Sequence, residues 1–340
     1  MRLQEGRLRL DNDEISFICL TLLVLFVIHI YVGVNAPLVF DNSKGKIVEI
    51  KKGMNISEIS LLLKKEKVIP EAWVFRLLTR LKPGTVIKAG EYQLDTTARM
   101  NIRQLLDILQ QGKTLCRKVT IPEGCTIRQI AGIFAESGMA DGKKFVEVAN
   151  DPNLARRLGI YAESLEGYLF PDTYCFSKGL SEKSIIETMV ARFRKIILPE
   201  WEERSREMGF DLHQVITLAS LIEKETSVKE EKPLISAAYH NRLRDGMRLQ
   251  CDPTVIYSME SFGGNLTREH LLIDSPYNTY RRYGLPPGPI TNPGRDSIRA
   301  ALYPVKAGYR YFVSKNNGTH KFSYTLKEHN KAVEKYQKRR

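Results

Sequence analysis

The residues best suited to acid–base chemistry are two glutamates, Glu223 and Glu225, near the end of an apolar segment at 212–226. At about 100° per residue, a helix brings Glu223 into line with Ile216 on its apolar side, and Glu225 to the opposite side, where we expect it to reach solvent. A carboxyl on an apolar face loses hydration, which favours the protonated form that a general acid needs. Pairing of Glu223 with a buried arginine, or capping of a neighbouring helix, explains the same pattern equally well.

Three loop clusters rich in tyrosine, asparagine and carboxylate side chains, at 165–174, 248–254 and 275–280, are expected to surround Glu223. Such side chains on rigid loops bind carbohydrates, because aromatic rings stack on sugars and polar groups hydrogen-bond to hydroxyls. The alternative is that the aromatic residues form the core and the prolines only shape loops. The density of the clusters favours a cleft. Its predicted binding residues are Glu166, Tyr168, Asp172, Tyr174, Gln250, Asp252, Tyr277, Asn278 and Tyr280.

Helices and one long loop are predicted to position these residues. A capping box formed by Asp211 and Gln214 marks the start of the helix that carries both glutamates. The segment 274–293 contains five prolines, so it is predicted to be a long rigid loop. The predicted helices of this half are 181–197, 211–226 and 233–244.

A repeat precedes these helices, since residues 48–63 and 119–134 share one pattern. Each copy reads as a short alternating strand, a glycine turn and an amphipathic helix. Asn55 and Thr126 stand where the two helices begin and are predicted to cap them. A chance recurrence of two strand–helix units is the alternative to a duplication. Between the copies we predict helices at 71–82 and 101–111 and a strand at 89–94.

The N-terminal segment 15–34 is an apolar run of twenty residues. As a helix it is about 30 Å long, the thickness of bilayer hydrocarbon, and this length favours an uncleaved anchor over a signal peptide. A small-residue cleavage site at 34–36 keeps the signal peptide as an alternative. Basic residues flank both ends, so the distribution of charge does not determine which end is cytoplasmic.

Composition excludes several classes of function. The formal net charge of +13 suits an anionic lipid surface, a wall polymer or nucleic acid, but no zinc-finger spacing or aromatic RNA-binding pattern supports nucleic acid as a partner. Five cysteines without a C-x-x-C pair, and histidines without metal-ligand spacing, predict no metal site. Phosphate-binding, dinucleotide and nucleophile-elbow motifs are absent, so we expect no cofactor.

Together the chemical segments resemble the endolytic murein transglycosylase family, also called YceG-like proteins. The motifs occur in the order typical of the family and span roughly residues 47–336. The segments that carry the resemblance are 165–174, 219–226, 247–254, 275–280, 284–294, 311–313, 320–323 and 328–330.

The resemblance implies an α+β fold with a single-pass membrane anchor, a small LysM-like α/β subdomain and a larger mixed α/β catalytic domain. The predicted division is a cytoplasmic tail at 1–14, a transmembrane helix at 15–34, a linker at 35–46, the LysM-like subdomain at 47–115 and the catalytic domain at 116–340. The catalytic domain is expected on the periplasmic, extracytoplasmic side of the inner membrane, where its peptidoglycan substrate lies.

The resemblance also implies a function and a catalytic residue. Nascent glycan strands of peptidoglycan are expected to be cleaved to leave 1,6-anhydro-N-acetylmuramic acid ends, which would terminate strand elongation, beside penicillin-binding proteins. The family's catalytic glutamate corresponds to Glu223, which would act without a second carboxylate. One alternative is a hydrolytic muramidase that uses Glu166 or Asp172 as well. Another is a wall-binding scaffold without catalytic activity.

Overall fold

The structure is a computed structural model that describes residues 12–38, 45–95, 99–259 and 261–337. Residues 1–11 of the predicted tail at 1–14, and residues 39–44 of the predicted linker at 35–46, therefore lie outside the described residues. The chain divides into two compact units. One consists of Met1–Arg117 with Ser177–Gly179, and the other of Lys118–Phe176 with Leu180–Arg340.

The first unit combines a long apolar helix with a small α/β body. Its strands β1 and β2 pair antiparallel, with Lys46 opposite Leu94 and Ile50 opposite Gly90. Leu63, Phe75 and Tyr92 are fully buried between these strands and the helices. The elements are α1 (Asn12–Asn35), β1 (Lys46–Ile50), α2 (Ile56–Lys65), α3 (Ala72–Leu81), β2 (Gly90–Leu94) and α4 (Ile102–Gln111).

Helix α1 has the length and composition of a membrane span. Its apolar part, Ile15–Asn35, covers 21 residues, and side chains such as Phe17 and Leu20 are 71% and 60% exposed. A core helix of a soluble protein would bury such residues, whereas lipid would surround them in a bilayer. The predicted single-pass anchor is consistent with this helix.

The second unit carries the predicted chemistry and is mainly helical. Its strands form two-stranded sheets, β3 with β4 and β5 with β6, so strands and helices are mixed as the predicted α+β class requires. The elements are β3 (Arg117–Thr120), α5 (Ile127–Glu136), α6 (Gly142–Ala149), α7 (Pro152–Arg157), β4 (Thr173–Phe176), α8 (Glu182–Ile196), α9 (Pro199–Glu207), α10 (Leu212–Glu225), α11 (Lys232–Arg244), α12 (Asp252–Tyr257), α13 (Arg295–Leu302), β5 (Tyr311–Ser314), β6 (His320–Ser323) and α14 (Leu326–Tyr336).

Both copies of the predicted repeat adopt the expected local structure. A strand leads through a glycine to a helix that begins with a capping box, at Asn55 in the first copy and at Thr126 in the second. The turn glycines, Gly53 and Gly124, have φ angles of 91° and 77°, a left-handed conformation that glycine adopts without steric cost. The strand–turn–helix prediction is confirmed at both positions.

Helix α10 lies at the centre of the second unit. The predicted capping box is confirmed, since Asp211 accepts from the Gln214 backbone N–H and the Gln214 side chain accepts from the Asp211 backbone N–H. Every residue from Val215 to Ile222 is buried, so the helix is enclosed on all sides by its neighbours, among them α11 and α13. The predicted loop at 274–293 contains no regular helix or strand, as expected from its prolines.

Candidate active site

Glu223 forms a buried ion pair. Its side chain is 7% exposed, and Lys232 Nζ, at the start of α11, lies 3.0 Å from Glu223 Oε1. The backbone N–H of Gly294, the residue before α13, donates to Glu223 Oε2 at 2.9 Å. Both carboxylate oxygens of Glu223 therefore accept hydrogen bonds from protein groups. This arrangement is the pairing with a buried cation that the sequence left open, with a lysine in place of an arginine.

Glu123 is a second carboxylate beside this ion pair. Its Oε2 lies 3.8 Å from Lys232 Nζ, and burial, followed by the nearby charge of Glu223, raises the pKa of Glu123. A side chain at Gly294 would overlap the Glu123 carboxylate. Gly294 therefore leaves room for the Glu123 carboxylate, which is the end of a flexible side chain that is 52% exposed, and the φ angle of Gly294, −76°, is ordinary for any residue.

Glu225 lies in a different environment, and the expectation that it simply reaches solvent is wrong. Tyr239 Oη, on α11, donates to Glu225 Oε1 at 2.6 Å, and the thiol of the buried Cys251 is a further hydrogen-bond partner. Burial is the largest influence on this carboxyl and raises its pKa. Although they lie two residues apart on one helix, Glu223 is bound by Lys232 and by the Gly294 N–H, whereas Glu225 is bound by Tyr239 in surroundings that raise its pKa.

Glu225 lines a cavity of about 380 Å³, which we call the first cavity. Three of the predicted binding residues, Gln250, Asp252 and Tyr280, line it as well. The Tyr280 hydroxyl donates to Asp252 Oδ1. Gln250 has a φ angle of 52°, an uncommon left-handed conformation for a residue with a side chain. The remaining polar side chains of the lining are Arg242, Ser314, His320, His329 and Gln337.

Arg242 and His320 are held in the wall of the first cavity by buried partners. Arg242 donates to the backbone carbonyls of Leu249 and Arg310, at 2.7 and 2.6 Å, and so orients the segment that leads to Gln250. The Glu231 carboxylate contacts His320 at two points. Its Oε1 accepts from the His320 backbone N–H at 2.8 Å, and its Oε2 lies 2.7 Å from His320 Nδ1. The positions of Arg242 and His320 in the cavity wall were not predicted from the sequence, although the motif at 320–323 contains the histidine.

Glu166 lies elsewhere, in the floor of a second cavity of about 660 Å³. It is 5% exposed and accepts hydrogen bonds from Ile127 N at 3.1 Å and from Asn292 Nδ2 at 2.9 Å. Burial outweighs these donors and raises the pKa of Glu166 to about 8. The carboxyl is therefore largely protonated at neutral pH.

The other predicted binding residues have mainly structural positions. Tyr168 and Tyr174 are core residues whose hydroxyls bond His213 Nδ1 and Phe170 O. Asn278 is completely buried and donates to the carbonyls of Leu271 and Ile273. Asp172 pairs with Arg192, and Tyr277 packs on Tyr257. All five side chains thus contact other parts of the protein in this structure, and their contact with substrate stays a prediction.

Comparisons with known proteins agree on one family. The profile of the YceG-like family matches residues 48–335. The endolytic murein transglycosylase of Bacillus subtilis (strain 168) is 34% identical over 316 residues, which cover 88% of this chain and 87% of that protein. The protein of the same name from Streptococcus pneumoniae (strain D39) is 32% identical over 309 residues, covering 82% of this chain and 56% of that protein.

A solved structure has the same fold. The crystal structure of a YceG-like protein from Listeria monocytogenes aligns with a TM-score of 0.59 at 36% identity, and covers 85% of this chain and 99% of that one. The mixed α/β architecture predicted from the sequence is thus confirmed.

We expect Gly294→Ala to push the Glu123 carboxylate away from Lys232, because the added methyl group would occupy its position. The half-exposed Glu123 side chain can turn into solvent, so the loss of stability should not exceed about 1 kcal/mol, the usual cost of an alanine at the start of a helix. Urea unfolding measures the effect, and Gly132→Ala is the control, since that helical glycine has open space around it and its replacement should be neutral or stabilising. A loss of several kcal/mol in Gly294→Ala would contradict this account.

We expect the raised pKa of Glu166 to make stability depend on pH. Between about pH 4.5, where the unfolded carboxyl titrates, and pH 8 the folded protein retains a proton that the unfolded chain has lost, so the free energy of unfolding falls as pH rises. Glu166→Gln should flatten this decline in urea unfolding at pH 5 and 7.5. Glu163→Gln, at an exposed position, should not.

Proposed function

The chain belongs to the YceG-like family, and we propose that it is a lytic transglycosylase that cleaves within the glycan strands of peptidoglycan. The observation that carries the proposal is Glu225, a carboxyl whose pKa is raised by burial and which lines a polar cavity of about 380 Å³. Such a carboxyl is protonated closer to neutral pH than an exposed one, and a general acid needs that property.

We assign the acid role to Glu225 in preference to Glu223. A general acid must present a protonated oxygen to the substrate, whereas both oxygens of Glu223 are occupied by Lys232 and by the Gly294 N–H. Protonation of Glu223 would leave the buried Lys232 ammonium without its main partner, which is costly. Glu223 is then a positioning residue that holds α10 against α11 and α13. The assignment of Glu223 as the acid remains the rival prediction, and the experiment below separates the two.

The proposed reaction uses one carboxyl twice. Protonated Glu225 donates its proton to the glycosidic oxygen as the bond from that oxygen to C1 of the muramic acid residue breaks. The resulting carboxylate then takes the proton of the 6-hydroxyl, whose oxygen forms a bond to C1 of the same sugar. The product is a 1,6-anhydro end, and Glu225 regains its proton. An intramolecular nucleophile has a high effective concentration, so no positioned water is needed.

Other residues of the first cavity are proposed to bind the sugars around the scissile bond. Gln250, Asp252 and Tyr280 present amide, carboxylate and hydroxyl groups that hydrogen-bond to sugar hydroxyls and N-acetyl groups. The His320 ring, held through Nδ1 by Glu231, presents its other nitrogen as a further polar contact. The Tyr239 hydroxyl fixes the orientation of the Glu225 carboxyl.

A hydrolytic muramidase has less support. It needs a second carboxylate beside the acid to activate water or to attack the sugar. Of the two candidates from the sequence, Glu166 lines the second cavity and Asp172 is paired with Arg192 at 2.6 Å. Neither belongs to the lining of the first cavity. The carboxylate that does line it beside Glu225, Asp252, already accepts a hydrogen bond from the Tyr280 hydroxyl. A single-carboxyl mechanism therefore fits better.

The proposed setting follows from helix α1. As a single-pass anchor it would hold the catalytic unit at the membrane surface, on the extracytoplasmic side where the glycan is made. Cleavage of nascent strands there would terminate their elongation, beside penicillin-binding proteins.

We expect Glu225→Gln to lower the rate of glycan cleavage by about 10²–10⁴-fold, because the amide cannot donate the proton. Mass spectrometry of digests of polymeric glycan counts the anhydro ends. If the wild type produced reducing ends in place of anhydro ends, the reaction would be a hydrolysis. Full activity of the variant would support a scaffold without catalytic activity.

Glu223 needs a matched pair of variants. Glu223→Gln alone should destabilise the fold by up to about 3–5 kcal/mol, because the buried Lys232 would keep only the more distant Glu123, 3.8 Å away, as a charged partner. The double variant Glu223→Gln with Lys232→Met removes both charges and should recover stability and most of the activity. A stable but inactive double variant, together with an active Glu225→Gln, would identify Glu223 as the acid.

Tyr239→Phe should shift the pH dependence of activity. The Tyr239 hydrogen bond lowers the pKa of Glu225, so its removal raises that pKa and moves the alkaline limb of the kcat/KM profile to higher pH. Tyr174→Phe also deletes a buried tyrosine hydroxyl, but in the core, and should leave the limb in place. A shift in both variants, or in neither, would contradict the link between Tyr239 and Glu225.

A further inference from the structure

The second cavity has no part in the proposed reaction, yet it is the neighbour of the first. On helix α12, Asp252 lines the first cavity, whereas the next residue, Pro253, lines the second. At the end of α10, Glu225 lines the first cavity and Lys224 the second. The two cavities therefore adjoin the same two helices, α10 and α12. A group attached to a sugar that is bound at Glu225 can extend from the first cavity toward the second cavity.

The lining of the second cavity combines positive charge with apolar surface. Arg128 and Lys224 are exposed side chains that contribute two cationic groups. Among the lining residues that the structure describes, Glu166 is the only carboxyl, and because burial raises its pKa to about 8 it does not cancel these charges at neutral pH. The apolar part of the lining includes Tyr257, Met259 and Ile290. An acidic ligand that also carries small apolar groups is complementary to such a lining.

We propose that the second cavity binds the acidic stem peptide attached to the muramic acid residue next to the scissile bond. This inference rests on the proposed function, which brings muramic acid to Glu225. The peptide starts from the lactyl ether of that sugar, and contains alanine methyl groups and free carboxylates. The carboxylates meet Arg128 and Lys224, and the methyl groups lie on the apolar wall. The second cavity thus selects strands that still carry their peptides.

The experiment compares two preparations of the same uncrosslinked glycan, one with its peptides and one stripped of them by an amidase. Wild-type protein, as the full chain in detergent, should cleave the peptide-bearing strands with the lower KM. Arg128→Glu should raise KM for these strands roughly fivefold, since reversal of a charge exchanges an exposed attraction for a repulsion. KM for the stripped strands should stay unchanged.

Lys224→Glu is a second variant with the same expected result, and it carries the test if Arg128→Glu proves unstable in thermal unfolding. Arg206→Glu on α9 is the matched control, since that exposed arginine lies outside the cavity lining and should change neither KM. Calorimetry with the Glu225→Gln protein should detect tighter binding of a disaccharide-peptide than of the disaccharide alone.

Two results would overturn the inference: equal KM values of the wild type for both preparations, or the same change in KM for both preparations in the charge-reversal variants. A failure of the proposed function looks different, because the wild type would then release no anhydro ends from either preparation.

Discussion

The buried ion pair between Lys232 and Glu223 is the interaction on which the candidate active site depends. Both side chains are less than a tenth exposed, so their desolvation must be offset by close mutual contact and by the Gly294 N–H. Three helices meet at this point, since Glu223 lies in the last turn of α10, Lys232 begins α11 and Gly294 precedes α13. Their relative positions are thereby tightly constrained.

The same contact between α10 and α11 also forms the surroundings of Glu225. Lys232 and Tyr239 lie seven residues apart on α11 and so share a face of that helix. Lys232 binds Glu223, and Tyr239 binds Glu225. One helix pair therefore places Glu223 in an ion pair and gives Glu225 a hydrogen bond from a buried tyrosine, in surroundings whose burial raises the pKa of Glu225. The two glutamates differ in their partners although they lie two residues apart on one helix.

Local features of the fold followed from the sequence with good accuracy. The caps at Asn55, Thr126 and Asp211 are made by residues within three positions of one another, so their spacing alone predicts them. The prolines of the loop at 274–293 exclude regular structure for an equally local reason. Family membership also follows from the sequence, because the motifs keep their order along the chain.

The roles of individual side chains depended on contacts between distant segments. Periodicity assumes that one side of a helix faces the core, but α10 is enclosed on all sides, so the apolar stripe did not show which glutamate lines a cavity. Likewise Tyr168 and Asn278 have the residue types of a binding site, yet both are buried and satisfied by protein partners. The sequence by itself determined the elements, the family and the presence of two acid–base candidates on one helix. Only the tertiary structure distinguished Glu225 from Glu223, because their buried hydrogen-bond partners, Tyr239 and Lys232, come from another helix.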